Sequence, residues 1–568
     1  MYFNSDLQAE NTYDAIVVGS GISGGWAAKE LTEKGLKVLV LERGRMVKHG
    51  EYPTAALAPW QLPNGNRVTR EEAKDYEKQS RTGYTISQAT KHWFVKDTEH
   101  PYSETKRFDW IRGYHVGGRS LMWGRHSYRH SDIDFTANAK DGHGTDWPIR
   151  YKDIAPWYDY VESFAGISGM KEGLEQLPDG KFLPAIELNC VEKKVRESLM
   201  VKYKGARVLS SGRVANLTQE HNGRSKCQFR NLCSRGCPYG AYFSSQSSTL
   251  PAAEKTGRLT IRPNSIVNSV IYNPETKKAT GVRVIDAESK ESMEFQAKVI
   301  FLCASTINST WILMNSATEI YPDGLGSSSG ELGHNLMDHH FRVGASGEMP
   351  GFEDMYYFGR KPGGIYLPRF RNVGQDKQKD FLRGYGYQGG ASRTGWQRSV
   401  KELSFGEDLK ETLGMPGQWT MGLGGFGECL PYHENKMTLN KDLLDKWGQP
   451  TVTFDCEFKE NEMNMRKDMG SSAAEMLEAA GAKNIRVNMP NDNAPGLGIH
   501  EMGTARMGTS PKNSVLNAHN QVWDCLNIYV TDGACMTSAS CVNPSLTYMA
   551  LTARAADHAV NELKKMNM

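Results

Sequence analysis

The 568-residue chain lacks any hydrophobic run that approaches the roughly 18–20 residues of a membrane-crossing helix. Its polar N-terminus has neither a basic segment nor an apolar core, so we expect no signal peptide and no direct membrane span. The chain also lacks a large net charge, since it contains 68 Lys and Arg and 65 Asp and Glu. This balance argues against a nucleic-acid partner bound through a basic field.

Cysteine is scarce, with ten in the whole chain, which excludes a disulfide scaffold. Glycine is abundant instead, 57 of 568, and indicates many tight turns and close backbone approaches to ligands. The hydrophobic fraction of 39% and the charged fraction of 23% are those of a globular protein. The length predicts several core-sized units or one large intertwined pair.

A strand–helix–strand pattern opens the chain. Residues 14–19 form a β-branched run that predicts a buried strand, residues 25–34 predict a helix, and residues 37–42 predict a second strand. Between the first strand and the helix stands GSGISG, the G-x-G-x-x-G fingerprint of dinucleotide-binding units. The pattern predicts a dinucleotide site, and the alternative is a glycine-rich turn without a ligand.

Each part of this unit has a physical role. Gly19 permits the tight turn, Gly21 lets the backbone approach a pyrophosphate, and Gly24 permits close packing of helix on strand. The helix N-terminus faces the phosphates. Glu42, about 20 residues after the glycines, is placed to bind both hydroxyls of an adenosine ribose.

Two later segments favour FAD over NAD. One is a second glycine-rich stretch, GGRSLMWG at residues 117–124, and the other is a strand that ends in Asp532-Gly533 before Asn543-Pro544 and a final helix. The candidate cofactor-binding residues are Gly19, Gly21, Ser23, Gly24, Glu42, Arg43, Gly117, Gly118, Ser120, Met122, Trp123, Gly124, Val267, Asp532, Gly533, Asn543, Pro544 and Thr547.

With these segments the chain resembles the glucose–methanol–choline (GMC) oxidoreductases over nearly its whole length. Further matches are WPIRYKDIAPWY from residue 147, CASTINST from 303, GHNLMDHH from 333 and HEMGTARMG from 500. The resemblance implies FAD-dependent oxidation of an alcohol by an α/β (α+β overall) protein. A Rossmann-like FAD-binding domain would intertwine with a substrate domain built on a large, mostly antiparallel sheet with helices.

The expected domains are discontinuous. We expect the FAD-binding domain in residues 10–50, 105–135, 225–345 and 495–568, with a cysteine-rich loop inside it. The substrate-binding domain is expected in residues 136–224 and 346–494.

Alcohol oxidation requires a base. When a hydride leaves a carbinol carbon, the hydroxyl proton must also depart, and histidine is suited to accept it. We assign His500, which follows a glycine-rich loop, as the catalytic base. Asn543, which matches an Asn or His of the family, is expected to orient the same hydroxyl. His339 and His340 are interpreted as structural or near the flavin.

Some family members attach FAD covalently through a histidine two residues after the serine of the second glycine-rich stretch. In this chain that position is Met122, after Ser120. We therefore expect non-covalent FAD.

Three cysteines, Cys227, Cys233 and Cys237, fall within eleven residues in the spacing C-x5-C-x3-C-P. This spacing suggests a metal centre, and three thiols suit an iron–sulfur cluster of the [3Fe–4S] type better than [4Fe–4S]. The alternatives are a zinc site, which would need a fourth ligand, and reduced structural thiols. The spacing is similar to that in the catalytic subunits of bacterial FAD-dependent glucose dehydrogenases and glucoside 3-dehydrogenases.

That closer resemblance implies a dehydrogenase whose electrons leave through the cluster, with a small Tat-signal-bearing subunit and a cytochrome c acceptor as partners. It implies a periplasmic location by co-export, with a cytoplasmic one as the alternative. The expected substrate is a sugar or glycoside oxidised at C3 of the pyranose to a 3-keto sugar. The alternatives are C1 oxidation of free glucose, oxidation of another polyol, and a non-catalytic flavin and iron–sulfur electron carrier.

Overall fold

The computed structural model describes residues 11–356, 362–393, 406–491 and 494–567. Its strands form three sheets of eight, six and three strands. In chain order the strands are β1 (Thr12–Val18), β2 (Val38–Leu41), β3 (Ser103–Glu104), β4 (Ser210–Ser211), β5 (Leu259–Arg262), β6 (Ser265–Asn273), β7 (Lys278–Asp286), β8 (Ser292–Leu302), β9 (His340–Glu348), β10 (Ile365–Leu367), β11 (Tyr385–Arg393), β12 (Trp419–Gly427), β13 (Lys436–Leu444), β14 (Pro450–Asp455), β15 (Lys483–Asn488), β16 (Gln521–Val522) and β17 (Cys525–Val530).

The helices of the described residues cover and connect these sheets. They are α1 (Ile22–Glu33), α2 (Arg70–Lys74), α3 (Asp132–Phe135), α4 (Ala137–Asp141), α5 (Tyr151–Ala165), α6 (Cys190–Lys202), α7 (Thr249–Glu254), α8 (Thr306–Asn315), α9 (Glu407–Gly414), α10 (Glu460–Ala479) and α11 (Ser545–Lys564). No helix in these parts of the chain is long and apolar enough to cross a membrane.

The first sheet brings both ends of the chain together. Its central strands run in the order β17-β8-β1-β2-β5 and are parallel. The residues of β2 are all buried, as expected for a parallel strand covered on both faces. Alternate residues enter two cores, since Val38 and Val40 pack with α1 and α11 whereas Leu39 and Leu41 face the main core.

The predicted strand–helix–strand unit is present, with one difference in its bounds. The helix α1 begins at Ile22 rather than at residue 25, so Gly24 lies in its first turn. This early start is possible because Gly24 has no side chain, as a Cβ there would overlap the carbonyl oxygen of Gly19. The strand β1 and the helix thereby meet at van der Waals contact directly after the turn.

The second sheet is antiparallel throughout, in the order β15-β9-β12-β11-β10-β4. Helix α10 packs on it through a row of buried methionines, Met465, Met469 and Met476. The expected combination of a parallel Rossmann-like sheet with a large antiparallel sheet is therefore confirmed. The division into two domains at the stated residues stays a prediction.

A buried ionic cluster joins the second sheet to the rest of the molecule. Arg383, 3% exposed, donates to the fully buried Glu428 at 2.7 Å and to Asn138 at 2.8 Å, and it also pairs with Asp141. Asn138 in turn donates to the carbonyl of Thr537, six residues before the Asn543 predicted to act in catalysis. The cluster thus holds the second sheet beside the chain segment that leads to α11.

Replacing Arg383 by leucine should destabilise the fold. The substitution leaves the buried Glu428 with only Arg369, 3.9 Å away, and removes the partner of the half-buried Asp141; breaking a buried pair costs about 3–5 kcal/mol. We expect a lower midpoint in urea unfolding followed by circular dichroism. Replacing the exposed Arg283, which pairs with Glu294 on the surface, is the control and should change the midpoint little. An unchanged midpoint for R383L would contradict this account of the cluster.

Candidate active site

One cavity of about 600 Å³ runs past the carboxyl ends of the parallel strands. This edge of the sheet is the usual ligand site of open α/β folds. The cavity collects segments that are far apart in the chain. The predicted site residues that line it are Gly19, Gly21, Ser23, Glu42, Arg43, Gly118, Ser120, Met122, Trp123, Gly124, Val267, His500, Asp532, Gly533, Asn543 and Pro544.

Three predicted cofactor residues lie just outside this lining. Gly24 serves the packing of α1 on β1, as described above. Gly117 donates its backbone N–H to the Ser20 hydroxyl at 2.9 Å and so ties the second glycine-rich stretch to the first. The hydroxyl of Thr547 lies 2.7 Å from that of Tyr158 and is fully buried there.

The first glycine loop has the features of a phosphate cradle. Gly19 turns with φ of +94°, which favours glycine, and Gly21 caps α1 without a side-chain hydrogen bond. A Cβ on Gly21 would meet no protein atom within 4 Å, so this position faces open space in the cavity. The free N–H groups of the first helical turn are thus available to an anion.

Glu42 is a buried acid at the end of β2. Its carboxylate accepts hydrogen bonds from the Ser20 hydroxyl at 2.6 Å, the Ser20 N–H at 3.1 Å and the Gly44 N–H at 3.0 Å. Burial raises the pKa of this carboxyl above its usual value. An acid fixed in this way beside a glycine loop is what ribose recognition requires.

The opposite end of the cavity is formed by residues near the C-terminus. Asp532 accepts hydrogen bonds from the Ala534 N–H at 3.0 Å and from the Ser309 hydroxyl. Burial is the main cause that raises its pKa to about 6. Asn543 and Pro544 stand at the start of α11, so the N-terminus of this helix faces the cavity.

The candidate base lies in a line of polar side chains. The Nε2 atom of His500 is 3.2 Å from Nδ2 of Asn543, and its Nδ1 atom is 2.8 Å from Nδ1 of His339. Gln388 of β11 donates to Oδ1 of Asn543. Burial, aided by neighbouring His339, Arg119 and His126, lowers the pKa of His500 well below 6.5. The imidazole is therefore neutral and able to accept a proton near neutral pH.

The loop that carries His500 is fixed by one carboxylate. Asp338 accepts the N–H of Gly496 at 2.8 Å and that of Gly498 at 2.9 Å on one oxygen, and the N–H of His500 at 3.0 Å on the other. Burial and the charge of Glu501 raise the pKa of Asp338 to about 7. Glu501 itself pairs with Arg119 of the second glycine-rich stretch at 2.9 Å.

Sequence reasoning missed three of these residues. Asp338 and Arg119 lie inside motifs that were recognised, but neither motif reveals that its charged residue contacts the loop of His500. Gln388 belongs to no motif, and only the sheet register places it beside Asn543.

The cysteine loop lies next to the cavity, which Ser234 helps to line. Cys227, Cys233 and Cys237 are free and partly exposed. Burial first, and then the charges of the other two thiols, raise the pKa of Cys227. Among the described residues, no group of three or more histidine, cysteine or acidic side chains is arranged to hold a metal ion. The thiols suit iron in kind, and the predicted iron–sulfur cluster stays a proposal.

Comparison with known families identifies the family of the chain. Two family models described as GMC oxidoreductase match, one over residues 13–341 and the other over residues 431–552. The chain belongs to the GMC oxidoreductase family. This confirms the predicted family and agrees with the glycine cradle, the buried Glu42 and the cavity, all of which fit FAD.

Relatives of the chain over nearly its whole length act on alcohols. It is 29% identical to 2-methyl-1,2-propanediol dehydrogenase of Mycolicibacterium austroafricanum, over 96% of this chain and 94% of that protein. It is 26% identical to the fructose dehydrogenase large subunit of Gluconobacter japonicus, over 97% and 98%. It is 24% identical to the gluconate 2-dehydrogenase flavoprotein of Pantoea cypripedii, over 95% and 92%. The GMC protein is thus an FAD-dependent oxidoreductase of alcohol groups.

Solved structures support the fold. Formate oxidase of Aspergillus oryzae RIB40 aligns with a TM-score of 0.60 at 15% identity, over 98% of this chain and 99% of that one. Pyridoxine 4-oxidase of Mesorbium loti aligns with a TM-score of 0.56 at 16% identity, over 96% and 98%. None of the proteins named here is a glucoside 3-dehydrogenase, so that closer resemblance remains a prediction.

Two glycines of the same loop should respond differently to replacement by alanine. G21A adds a methyl group in the open cradle, so the protein should fold but bind FAD at least about ten-fold more weakly, because the group occupies phosphate space. G24A forces α1 from β1 and should lower stability, as an overpacked contact costs about 1–3 kcal/mol. Flavin fluorescence and thermal melts of the apoproteins separate the two effects. Equal melting temperatures for both variants would contradict the assignment.

Proposed function

We propose that this enzyme oxidises a secondary ring hydroxyl of a pyranose or its glycoside, at C3, to the 3-keto sugar. The observation that carries the proposal is the pair of His500 and Asn543, which face the same point of the cavity from two loops. A hydroxyl placed there is met by a proton acceptor and by a hydrogen-bond donor at once.

The roles of the two side chains follow from their hydrogen-bonding groups. The amide N–H of Asn543 donates to the hydroxyl oxygen and orients it, while Nε2 of His500 accepts the hydroxyl proton. Gln388 holds the amide of Asn543 through its Oδ1 atom, so that Nδ2 faces the base. Bound FAD supplies the acceptor for the hydride that leaves the carbinol carbon.

The walls near His500 suit a sugar ring. Phe341 and Phe426 stack with ring centroids 4.6 Å apart, and both line the cavity with Tyr84 and Gln388. Apolar walls with a few convergent polar groups are typical of sites that bind small polar molecules. The names of two relatives, fructose dehydrogenase and gluconate 2-dehydrogenase, also support a sugar-type substrate.

Oxidation of free glucose at C1, or of another polyol, is the second candidate. It is favoured by the diol substrate in the name of one relative. The cysteine-loop spacing is similar to that of glucose dehydrogenases as well as glucoside 3-dehydrogenases, so it does not by itself distinguish C3 from C1. The non-catalytic carrier is disfavoured, because a carrier has no use for a neutral histidine beside an amide in the cavity wall.

The route of the electrons is also part of the proposal. The cysteine loop would hold an iron–sulfur cluster beside the cavity and serve an external acceptor. A small co-exported subunit and a periplasmic location are proposed with it. The word "subunit" in the name of the fructose dehydrogenase relative is compatible with such an assembly.

The substrate proposal is tested by anaerobic titration of the flavin absorbance with methyl β-glucoside. Its C1 is blocked, so bleaching would demonstrate oxidation of another hydroxyl, and identification of the 3-keto product would fix the position. H500A should bind FAD yet lose at least about a hundred-fold in the rate of bleaching. H433A, which changes a half-exposed histidine outside the cavity, is the control. Bleaching by free glucose alone would overturn C3 oxidation.

The cluster proposal is tested by assaying iron and acid-labile sulfide in protein purified without oxygen. We expect both, with Cys227→Ser losing them and still allowing sugar to reduce the flavin. Cys190→Ser changes a partly exposed cysteine outside the loop and should keep full iron content. Iron-free protein whose three loop thiols all react with an alkylating agent would refute the cluster.

A further inference from the structure

We propose that His339 is a positioning residue that fixes the tautomer of His500, so that the lone pair of Nε2 points into the cavity. The inference deepens the proposed function, since it rests on His500 as the base. It assigns a role to a histidine that the sequence left as structural or near the flavin.

The argument starts at a backbone carbonyl. Nε2 of His339 is 2.8 Å from the carbonyl oxygen of Ser540. A carbonyl only accepts hydrogen bonds, so Nε2 of His339 carries a proton and donates it. Ser540 is itself held, because its hydroxyl donates to Asp134 at 2.8 Å.

The second step is the charge of His339. The side chain is buried, with 1% of its surface exposed. Burial is the first cause that lowers its pKa to about 4. A neutral imidazole has one protonated nitrogen, so with Nε2 protonated the Nδ1 atom of His339 is an acceptor.

The third step concerns the hydrogen bond between His339 and His500. The two Nδ1 atoms of His339 and His500 are 2.8 Å apart, a hydrogen-bond distance. Because Nδ1 of His339 accepts, Nδ1 of His500 must donate. Neutral His500 then has no proton on Nε2, and that atom is free to accept one.

The far side of His500 agrees with this assignment. Gln388 donates to Oδ1 of Asn543, which turns Nδ2 of Asn543 toward Nε2 of His500 at 3.2 Å. In this orientation an N–H group of Asn543 points at the lone pair on Nε2 of His500. The opposite tautomer would place two donors against each other.

The arrangement also has a role during the reaction. When Nε2 of His500 takes the hydroxyl proton, the imidazolium keeps its Nδ1–H bond to the neutral His339. The charged and titratable neighbours of His500 are Arg119 and His126, while Asp338 accepts its backbone N–H. His339 is approached by His130. His339 thus stabilises the positive charge through a hydrogen-bond acceptor rather than a carboxylate.

The test compares three replacements of His339 in the FAD-loaded protein. Asparagine places an amide oxygen near the Nδ1 position and keeps an acceptor for His500. Glutamine reaches the Nε2 position and leaves no acceptor, and leucine removes both. Anaerobic stopped-flow measurement of flavin reduction by the sugar, against pH, gives the rate constant and the substrate affinity separately.

We expect H339L and H339Q to lose about 10- to 100-fold in the rate constant with little change in affinity, and H339N to recover most of it. The acid limb of the wild-type profile should lie below pH 6.5, because the pKa of His500 is lowered, and should move in H339L. H340N is the control, since His340 is equally buried but lies 3.2 Å from the Met465 sulfur instead of contacting His500.

A readout independent of turnover separates this proposal from the proposed function. In protein labelled with nitrogen-15 histidine, NMR should show His500 unprotonated at Nε2 in the wild type and in H339N, and a mixture of tautomers in H339L, where only the longer contact with Asn543 still opposes the other tautomer. The same tautomer in H339L, or a rate constant equal to that of the wild type, would overturn the role of His339. An H500A protein that still oxidises sugar would instead overturn the base, with the tautomer result unaffected.

Discussion

The buried carboxylate of Asp338 is the constraint on which the active site depends. It accepts hydrogen bonds from three backbone N–H groups of residues 496–500. The backbone of this segment can close around the carboxylate only where side chains do not obstruct it. Gly496 adopts φ of +94°, and a Cβ on Gly498 would stand 2.7 Å from the Asp338 carboxylate. The two glycines before His500 are therefore required by the anchor. His339, which follows Asp338 in the chain, is thereby placed against His500.

The second consequence of this anchor is electrostatic. A carboxylate beside His500 would favour its imidazolium form. Here backbone N–H groups compensate the charge of Asp338, and Arg119 compensates that of Glu501. The candidate base, His500, contacts the neutral His339 and the amide of Asn543. Its imidazole therefore stays neutral, as a proton acceptor must be before the substrate arrives.

Local patterns predicted much of the molecule, and distant contacts account for the rest. The strand–helix–strand unit, Glu42 and the glycines were predicted because each lies within about 30 residues and has a period or a motif. The bounds of α1 were wrong by three residues, because contact between Gly24 and Gly19 decides where the helix begins. His500 and Asn543 were assigned through family motifs, and their catalytic roles stay predictions. Asp338 lies more than 150 residues from the loop it fixes, and no local pattern reports such a contact.

The position of the cysteine loop bears on where electrons would leave the cavity in the proposed reaction. In the proposed reaction the substrate proton is taken by Nε2 of His500, whose Nδ1 is backed by the buried His339 and, behind it, the Ser540 carbonyl. The cysteine loop reaches the same cavity at Ser234, yet its three thiols are partly exposed. In the proposed reaction, electrons would thus leave toward the surface while the proton is first held in the interior. In that scheme the acceptor would meet the cysteine loop at the protein surface, while the proton is taken at His500 in the cavity.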